Sequence, residues 1–158
     1  MFYNKINLSS MPTTRVATFT AFGTDPETEA WAIMATWVVE RINMGLLSPD
    51  SFRCFGYVSK HANENGEYGY KVMVTIPDNV HVSDVIKEEV IPEGFYLTLR
   101  TEFNDDALTE GWSRLIGYAR SKNISLSPNH VPLEENVSES DGTKYFVLHL
   151  PITSAVQS

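Results

Sequence analysis

The chain is short of several things, and each shortage closes off a class of function. It has one cysteine, Cys54, so no disulfide can form within it. That suits a reducing compartment, and a cytoplasmic protein is the expectation. Cys54 alternates with Phe52 on an apolar stretch, where a small core residue is a better reading than a nucleophile. Basic residues are outnumbered: 12 Lys and Arg against 20 Asp and Glu give a net charge of −8. Such a surface repels phosphate, so no direct nucleic-acid binding is expected, whereas a negative cleft would concentrate cations. No apolar run approaches the roughly 20 residues of a membrane helix, and the opening MFYNKINLSSM lacks the apolar core of a signal peptide. The four histidines, His61, His81, His130 and His149, have no metal-ligand spacing and read as surface or strand-face residues. Phosphate loop, dinucleotide fingerprint and serine-hydrolase elbow are all missing. Neither a metal nor a cofactor is expected, and no membrane partner.

What is present suits one folded domain over residues 1–158, because 42% of the residues are hydrophobic and a core can form. RVATFTAFG, Arg15 to Gly23, is β-branched and aromatic and predicts a strand. Asp25 and Pro26 suit the N-cap and first turn of a helix. Trp31, Met34, Val38 and Ile42 recur at helical spacing, and Gly45 and Pro49 end the helix. Strands follow at FRCFGYV (Phe52 to Val58) and at YGYKVMVTIP (Tyr68 to Pro77), the latter with Tyr70, Val72, Val74 and Ile76 on one side. The second half repeats this order. EGFYLTLRTEF from Glu93 is a strand, Asn104, Asp105 and Asp106 offer caps, and Leu108, Trp112, Leu115 and Ala119 share one helix face. VPLEENV (Val131 to Val137) and KYFVLHLPI (Lys144 to Ile152) are the closing strands. SPDSFRCFGYV (Ser48 to Val58) also aligns without gaps to SPNHVPLEENV (Ser127 to Val137).

The chain therefore reads as a duplicated β-α-β-β unit, with pseudo-repeats at about 12–78 and 85–152. The crossover NVHVSDVIKEEVIP carries a short extended piece over Val85 to Val90, with Glu88 and Glu89 on a solvated face. The expected fold is α+β: an antiparallel sheet, two helices on one face, and a ligand cleft between the halves.

The two adjacent acids of VPLEENV stand out in a strand. In the alignment Glu134 faces Phe55, and Glu135 faces Gly56. With the Leu133 side of the strand against the helices, Glu134 and Asn136 face the cleft, and Glu135 is left as surface, its orientation open. A carboxylate among rings suits a lipophilic cation. The rings supply apolar contact and cation–π attraction, and the carboxylate offsets the charge. Phe55 and Tyr57 in the first half, and Tyr145 and His149 in the second, are the other cleft candidates. Trp112 lies on the helix stripe and is either core or the floor of the cleft.

Several stretches resemble a known family: FGYV from Phe55, EYGYKVMVTIP from Glu67, IPEGFYLTLR from Ile91, W-x-x-L-x-x-Y at Trp112, Leu115 and Tyr118, PLEEN from Pro132, and VLHLPI at the end. Their order and spacing, from about Met11 to Ile152, are similar to those of the GyrI-like small-molecule-binding domains. The same domain is the effector-binding module of AraC-type and MerR-type transcription regulators. The resemblance implies that the penultimate-strand acid, here Glu134, contacts cationic aromatic ligands, as in drug-sensing members. The chain departs from the family pattern at Asn136, where an aromatic is usual, at Lys71, where an acid is frequent, and at Met73, where Trp is frequent. Ligand identity therefore does not carry over. Regulators of the family place a helix-turn-helix ahead of this module. Fewer than 15 residues precede the first predicted strand, so a stand-alone module is expected.

Three functions follow, in order. The first is binding of a lipophilic, cationic small molecule, for sensing or sequestration. The second is catalysis: some GyrI-like proteins hydrolyse reactive cyclopropane-bearing compounds, and Glu134 beside Tyr57 would be the general acid or base. The third is a protein-interaction module of the gyrase-inhibitor kind. Binding is put ahead of catalysis, and a homodimer through a sheet edge or the helices is left open.

Overall fold

The computed structural model describes residues 5–83 and 86–153. In chain order the elements are β1 (Ile6–Met11), β2 (Thr14–Gly23), α1 (Pro26–Asn43), β3 (Cys54–Lys60), β4 (Tyr68–Thr75), β5 (Lys87–Ile91), β6 (Gly94–Glu102), α2 (Asp105–Ser121), β7 (Leu133–Ser138) and β8 (Lys144–Ile152). The fold is α+β, and every strand pairing within a unit is antiparallel. The chain divides into two compact units. A central unit takes Thr14–Ile91. A split unit takes the segment up to Thr13 together with the chain from Pro92 onward.

In the central unit the strands run in the order β3-β4-β2-β5, and α1 covers one face. Ala17, Phe19 and Ala21 of β2, with Tyr70, Val72 and Val74 of β4, meet Ala30, Met34, Trp37 and Val38 of the helix. These are alternate residues on each strand and helically spaced residues on α1, the two periods that let a sheet and a helix share a core. Cys54 packs half-buried at the edge of this core beside Phe52. Pro26 sits in the first turn of α1, where its missing N–H is no loss. Gly45, at φ 75°, takes the left-handed position after the helix and donates to Ile42 O at 3.0 Å. Arg15 fastens the loop after β4, donating to Pro77 O at 2.7 Å and to Val80 O at 2.6 Å.

In the split unit the order is β1-β6-β8-β7. Leu97 and Leu99 of β6, with Leu148, Leu150 and Ile152 of β8, meet Leu115 and Ala119 of α2, and Leu108 and Trp112 pack at the margin. Asn104 caps α2 through Oδ1, which accepts from Ala107 N at 2.8 Å. Gly111 allows the helix to come close: a Cβ there would lie 2.7 Å from both Leu148 Cδ1 and Thr101 Cγ2.

Two strands were not foreseen as such. β1 lies ahead of the expected first repeat, and β5 falls on the extended piece, whose Val85 lies outside the described residues. Each repeat is thus β-β-α-β-β, and its leading strand joins the other unit. β1 pairs with β6 (Ile6↔Leu99, Met11↔Gly94), and β5 pairs with β2 (Thr14↔Ile91, Thr18↔Lys87). Both are edge strands of their unit, INLSSM and KEEVI. Edges carry polar and charged residues that block further pairing, so the apolar alternation that betrays a strand is weak there. Glu88 and Glu89 are not merely solvated. They lie on opposite faces of β5, and each is ion-paired, Glu88 to Arg15 at 2.7 Å and Glu89 to Lys71 at 2.9 Å.

Candidate functional site

Pleat alternation assigns each strand residue to the helix face of its sheet or to the far face. In β8, Leu148 and Leu150 meet α2, so Tyr145, Val147 and His149 lie on the far face, as expected for Tyr145 and His149. The ladder pairs Leu133 with His149, Glu134 with Leu148 and Glu135 with Val147. Leu133 and Glu135 therefore belong to the far face, and Glu134 and Asn136 to the α2 side. This reverses the orientation expected of the two acids. That expectation set Leu133 against the helices. Leu133 is indeed buried, but from the other face. Glu134 is half-buried, whereas Glu135, expected at the surface, is only 7% exposed.

Glu135 Oε1 lies 2.9 Å from His149 Nε2, and His149 is 4% exposed. The ring of Tyr96, fully buried on β6, meets the His149 imidazole edge-on, with centroids 5.9 Å apart at 90°. Burial pushes the Tyr96 phenol above its ordinary pKa. Tyr145 is also raised, first by desolvation and then by the charges of Glu139 and Glu135, against the opposing charge of Arg100. The Arg100 guanidinium stacks 3.6 Å from the Tyr145 ring centroid. On the other side of Tyr96 stands His130, edge-on at 6.1 Å. His130 Nε2 is 2.8 Å from Glu93 O, and Nδ1 is 2.8 Å from Ser127 Oγ. A carbonyl can only accept, so Nε2 carries a proton and donates it to Glu93 O. His130 is thus a loop staple against the site wall rather than a surface histidine.

The far face of the central unit holds Phe55, Tyr57, Lys71, Met73, Thr18 and Thr20, by the pairs Phe55↔Met73, Tyr57↔Lys71, Thr18↔Met73 and Thr20↔Lys71. Phe55 is fully buried, with the Arg53 guanidinium 5.0 Å from its ring centroid. Lys71 Nζ donates to Glu89 Oε1 at 3.1 Å and to Oε2 at 2.9 Å, and Thr18 Oγ1 donates to Glu89 Oε2 at 3.0 Å. Burial works against the Lys71 charge, but the Glu89 hydrogen bond, with the nearby Tyr57 and Glu89 charges, outweighs it and holds the pKa above the lysine value. Burial likewise works against the Glu89 charge, and Lys71, Thr18 and Lys87 outweigh it, so its pKa is lowered. These groups surround a concavity of about 390 Å³, lined by Thr18, Thr20, Ser59, Lys71, Lys87 and Glu89.

Laid over one another, the two ladders correct the internal alignment by one residue. Thr18 pairs with Met73, and Met73 with Phe55; Thr98 pairs with His149, and His149 with Leu133. Phe55 thus corresponds to Leu133, and Tyr57 to Glu135. An acid does replace an aromatic on the far face, but the acid is Glu135 and the aromatic is Tyr57. Of the other anticipated site residues, the split unit's far face holds Tyr145 and His149, and the central unit's holds Phe55 and Tyr57. Asn136 shares the α2 side with Glu134, and Trp112 packs against the core under α2. Tyr96, His130, Arg100 and Glu135, also at this face, were not among the anticipated site residues. Among the described residues no group of three or more His, Cys, Asp or Glu could hold a metal ion, and no helix is long and apolar enough to cross a membrane.

No protein-family model matches the chain, and no curated protein matches it. Among solved structures, the crystal structure of the EcmrR C-terminal domain is similar at a TM-score of 0.71 and 14% identity, over 96% of this chain and 98% of that one. A hydrolase from Listeria innocua is similar at a TM-score of 0.66 and 10% identity, over 94% of this chain and 92% of that one. The structure of SAV2435 bound to tetraphenylphosphonium is similar at a TM-score of 0.57 and 9% identity, over 94% of each chain. At such identities the likeness is one of fold, and it is consistent with the GyrI-like domains that the sequence pattern resembles.

Proposed function

We propose that this chain is a cytoplasmic binding module for lipophilic cations, a sensor or sequestering domain of the effector-binding kind. Its ligand face is the far face of the split unit, and Glu135 is its carboxylate. The observation that carries this reading is a carboxylate 7% exposed on a face that also presents Tyr96, Tyr145 and His149. Burying an ionised carboxylate costs several kcal/mol unless charge or hydrogen bonds offset it. The His149 ring, 2.9 Å away, orients the Glu135 carboxylate, and the aromatic rings beside it suit the flat faces of an aromatic cation. The likeness to SAV2435, a structure that holds tetraphenylphosphonium, supports the ligand class.

Calorimetric titration with tetraphenylphosphonium tests it. Glu135→Gln should weaken binding by about 30-fold or more, the lower end for removing one partner of a buried charge pair. Glu134→Gln, on the α2 side, should change it by less than about threefold. Equal affinity of the wild-type chain and Glu135→Gln would overturn the assignment.

A second reading, hydrolysis of an electrophile such as a cyclopropane-bearing compound, is favoured by the Listeria innocua hydrolase neighbour and by the 2.9 Å Glu135–His149 pair. Such a pair can deliver and recover a proton. In this reading the pair takes the role expected of Glu134, which lies on the α2 side of its strand. Turnover by the wild-type chain, lost in Glu135→Gln, would favour catalysis over simple binding.

A further inference from the structure

The concavity of about 390 Å³ in the central unit has the opposite character to the Glu135 face. It is lined by three hydroxyls (Thr18, Thr20, Ser59), two ammonium groups (Lys71, Lys87) and one carboxylate (Glu89), so its local charge is +1 in a chain whose net charge is −8. Its groups fall into two sets. Lys71 and Thr18 are committed to Glu89, at 2.9 and 3.0 Å. The side chains of Lys87, Thr20 and Ser59 make no hydrogen bond to any described residue. One cation and two hydroxyls are thus left facing a space whose volume suits a small molecule, beside a carboxylate that Lys71 keeps ionised.

We infer that this pocket binds a small hydroxylated monoanion of the sugar-acid class. The ligand carboxylate sits on the Lys87 ammonium, and its hydroxyls exchange hydrogen bonds with Thr20 and Ser59. Glu89 sets the charge limit. Its oxygens retain acceptor capacity for a ligand hydroxyl, but its negative charge repels a second anionic group. A neutral sugar lacks the carboxylate that Lys87 receives, and a dianion meets Glu89. The site involves neither Glu135 nor the cation reading, so the two stand or fall separately.

Titration of the full chain with gluconate, glucose and inorganic phosphate, followed by calorimetry, tests the inference. Gluconate should bind in the millimolar range or tighter, and at least tenfold better than glucose, roughly the share of one charge-assisted hydrogen bond. Lys87→Gln should remove that advantage. It lies on an exposed edge strand, and circular dichroism of the variant confirms that folding is intact. Glu89→Gln should raise the affinity for phosphate, because Lys71 is released and the local charge rises to about +2. Gluconate bound no better than glucose, or equally by wild type and Lys87→Gln, would overturn the site. Phosphate bound equally by wild type and Glu89→Gln would overturn the charge limit.

Discussion

The two units lay the same kinds of strand in the same order and put opposite chemistry on their far faces. Where the central unit has Tyr57, Met73 and Lys71, the split unit has Glu135, His149 and Val147 in the corresponding ladder positions. In the split unit the ionisable pair is buried, with side-chain exposures of 9% for Glu135 and 5% for His149. In the central unit the pair stays within reach of water, with 18% for Lys71 and 40% for Glu89. The sheet therefore fixes places, not polarity. A handful of substitutions at matched positions leaves the ionisable pair of one face dry and that of the other wet. Burial then decides how much each pair contributes, because a dry pair loses hydration that only its partner can replace, while a wet one is screened.

The sharpest way to break this comparison is to remove one partner from each face. Glu135→Ala takes away the carboxylate on His149 Nε2 and should destabilise the chain by about 3 kcal/mol or more. Lys71→Ala should cost about 1 kcal/mol or less. Urea unfolding of the two variants measures both. Equal losses would mean that the far faces do not differ in dryness as their exposures imply.

Packing against the helices offers a second test, with its control inside the same helix. Gly→Ala within a helix normally stabilises by about 0.5–1 kcal/mol. At Gly117, where nothing lies within 4 Å of a built Cβ, Gly117→Ala should do so. Gly111→Ala should instead destabilise by about 1–3 kcal/mol, since the new methyl meets Leu148 and Thr101 at 2.7 Å. In α1 the buried series Ala30, Met34, Val38 runs at the same four-residue spacing as Gly111, Leu115, Ala119 in α2. Ala30 already carries the methyl that α2 has no room for. Opposite signs at Gly111 and Gly117 in thermal unfolding would confirm that the close approach is confined to the sheet-facing side of α2 at Gly111.

The core was the legible part of this fold. Tyr70, Val72 and Val74, and Leu115 and Ala119, fall where their periodicity put them, because burial selects apolar residues at regular intervals. The edges were harder to read. INLSSM and KEEVI bury little and carry the polarity that guards a sheet edge, so no alternation marked them. The facing of the two acids of β7 was misread by one residue. The gapless alignment of SPNHVPLEENV with SPDSFRCFGYV set Glu135 against Gly56, whereas the ladder sets it against Tyr57. In a strand a slip of one residue exchanges the two faces, so the sequence pattern puts Glu134 on the far face where the ladder puts Glu135. His130 and Tyr96 could not be paired from sequence, since a loop 34 positions on brings the imidazole to the ring (130 − 96 = 34).

The smallest expected effect is the pH dependence of the central unit's pair, and its sign separates that pair from simple surface charge. Glu89 has a folded pKa below the ordinary carboxylate value of 4.5, since Lys71, Thr18 and Lys87 together outweigh the opposing burial. Its contribution is therefore present above that value and is lost as pH falls through the lower, folded pKa. Lys71 has a folded pKa above 10.5, where the Glu89 hydrogen bond and the nearby charges outweigh burial. Its contribution is present below 10.5 and is lost as pH rises through the raised value. Together they give a plateau across neutral pH with a decline on either side. With the Glu89 side chain 40% exposed, solvent screening keeps the height of that plateau to about 1 kcal/mol or less. Urea unfolding across a pH series should show Glu89→Gln losing part of the acid-side decline and part of the alkaline one together, because the same contact holds both charges. Loss of the acid limb alone would mean that Lys71 draws its raised pKa from Tyr57 rather than from Glu89.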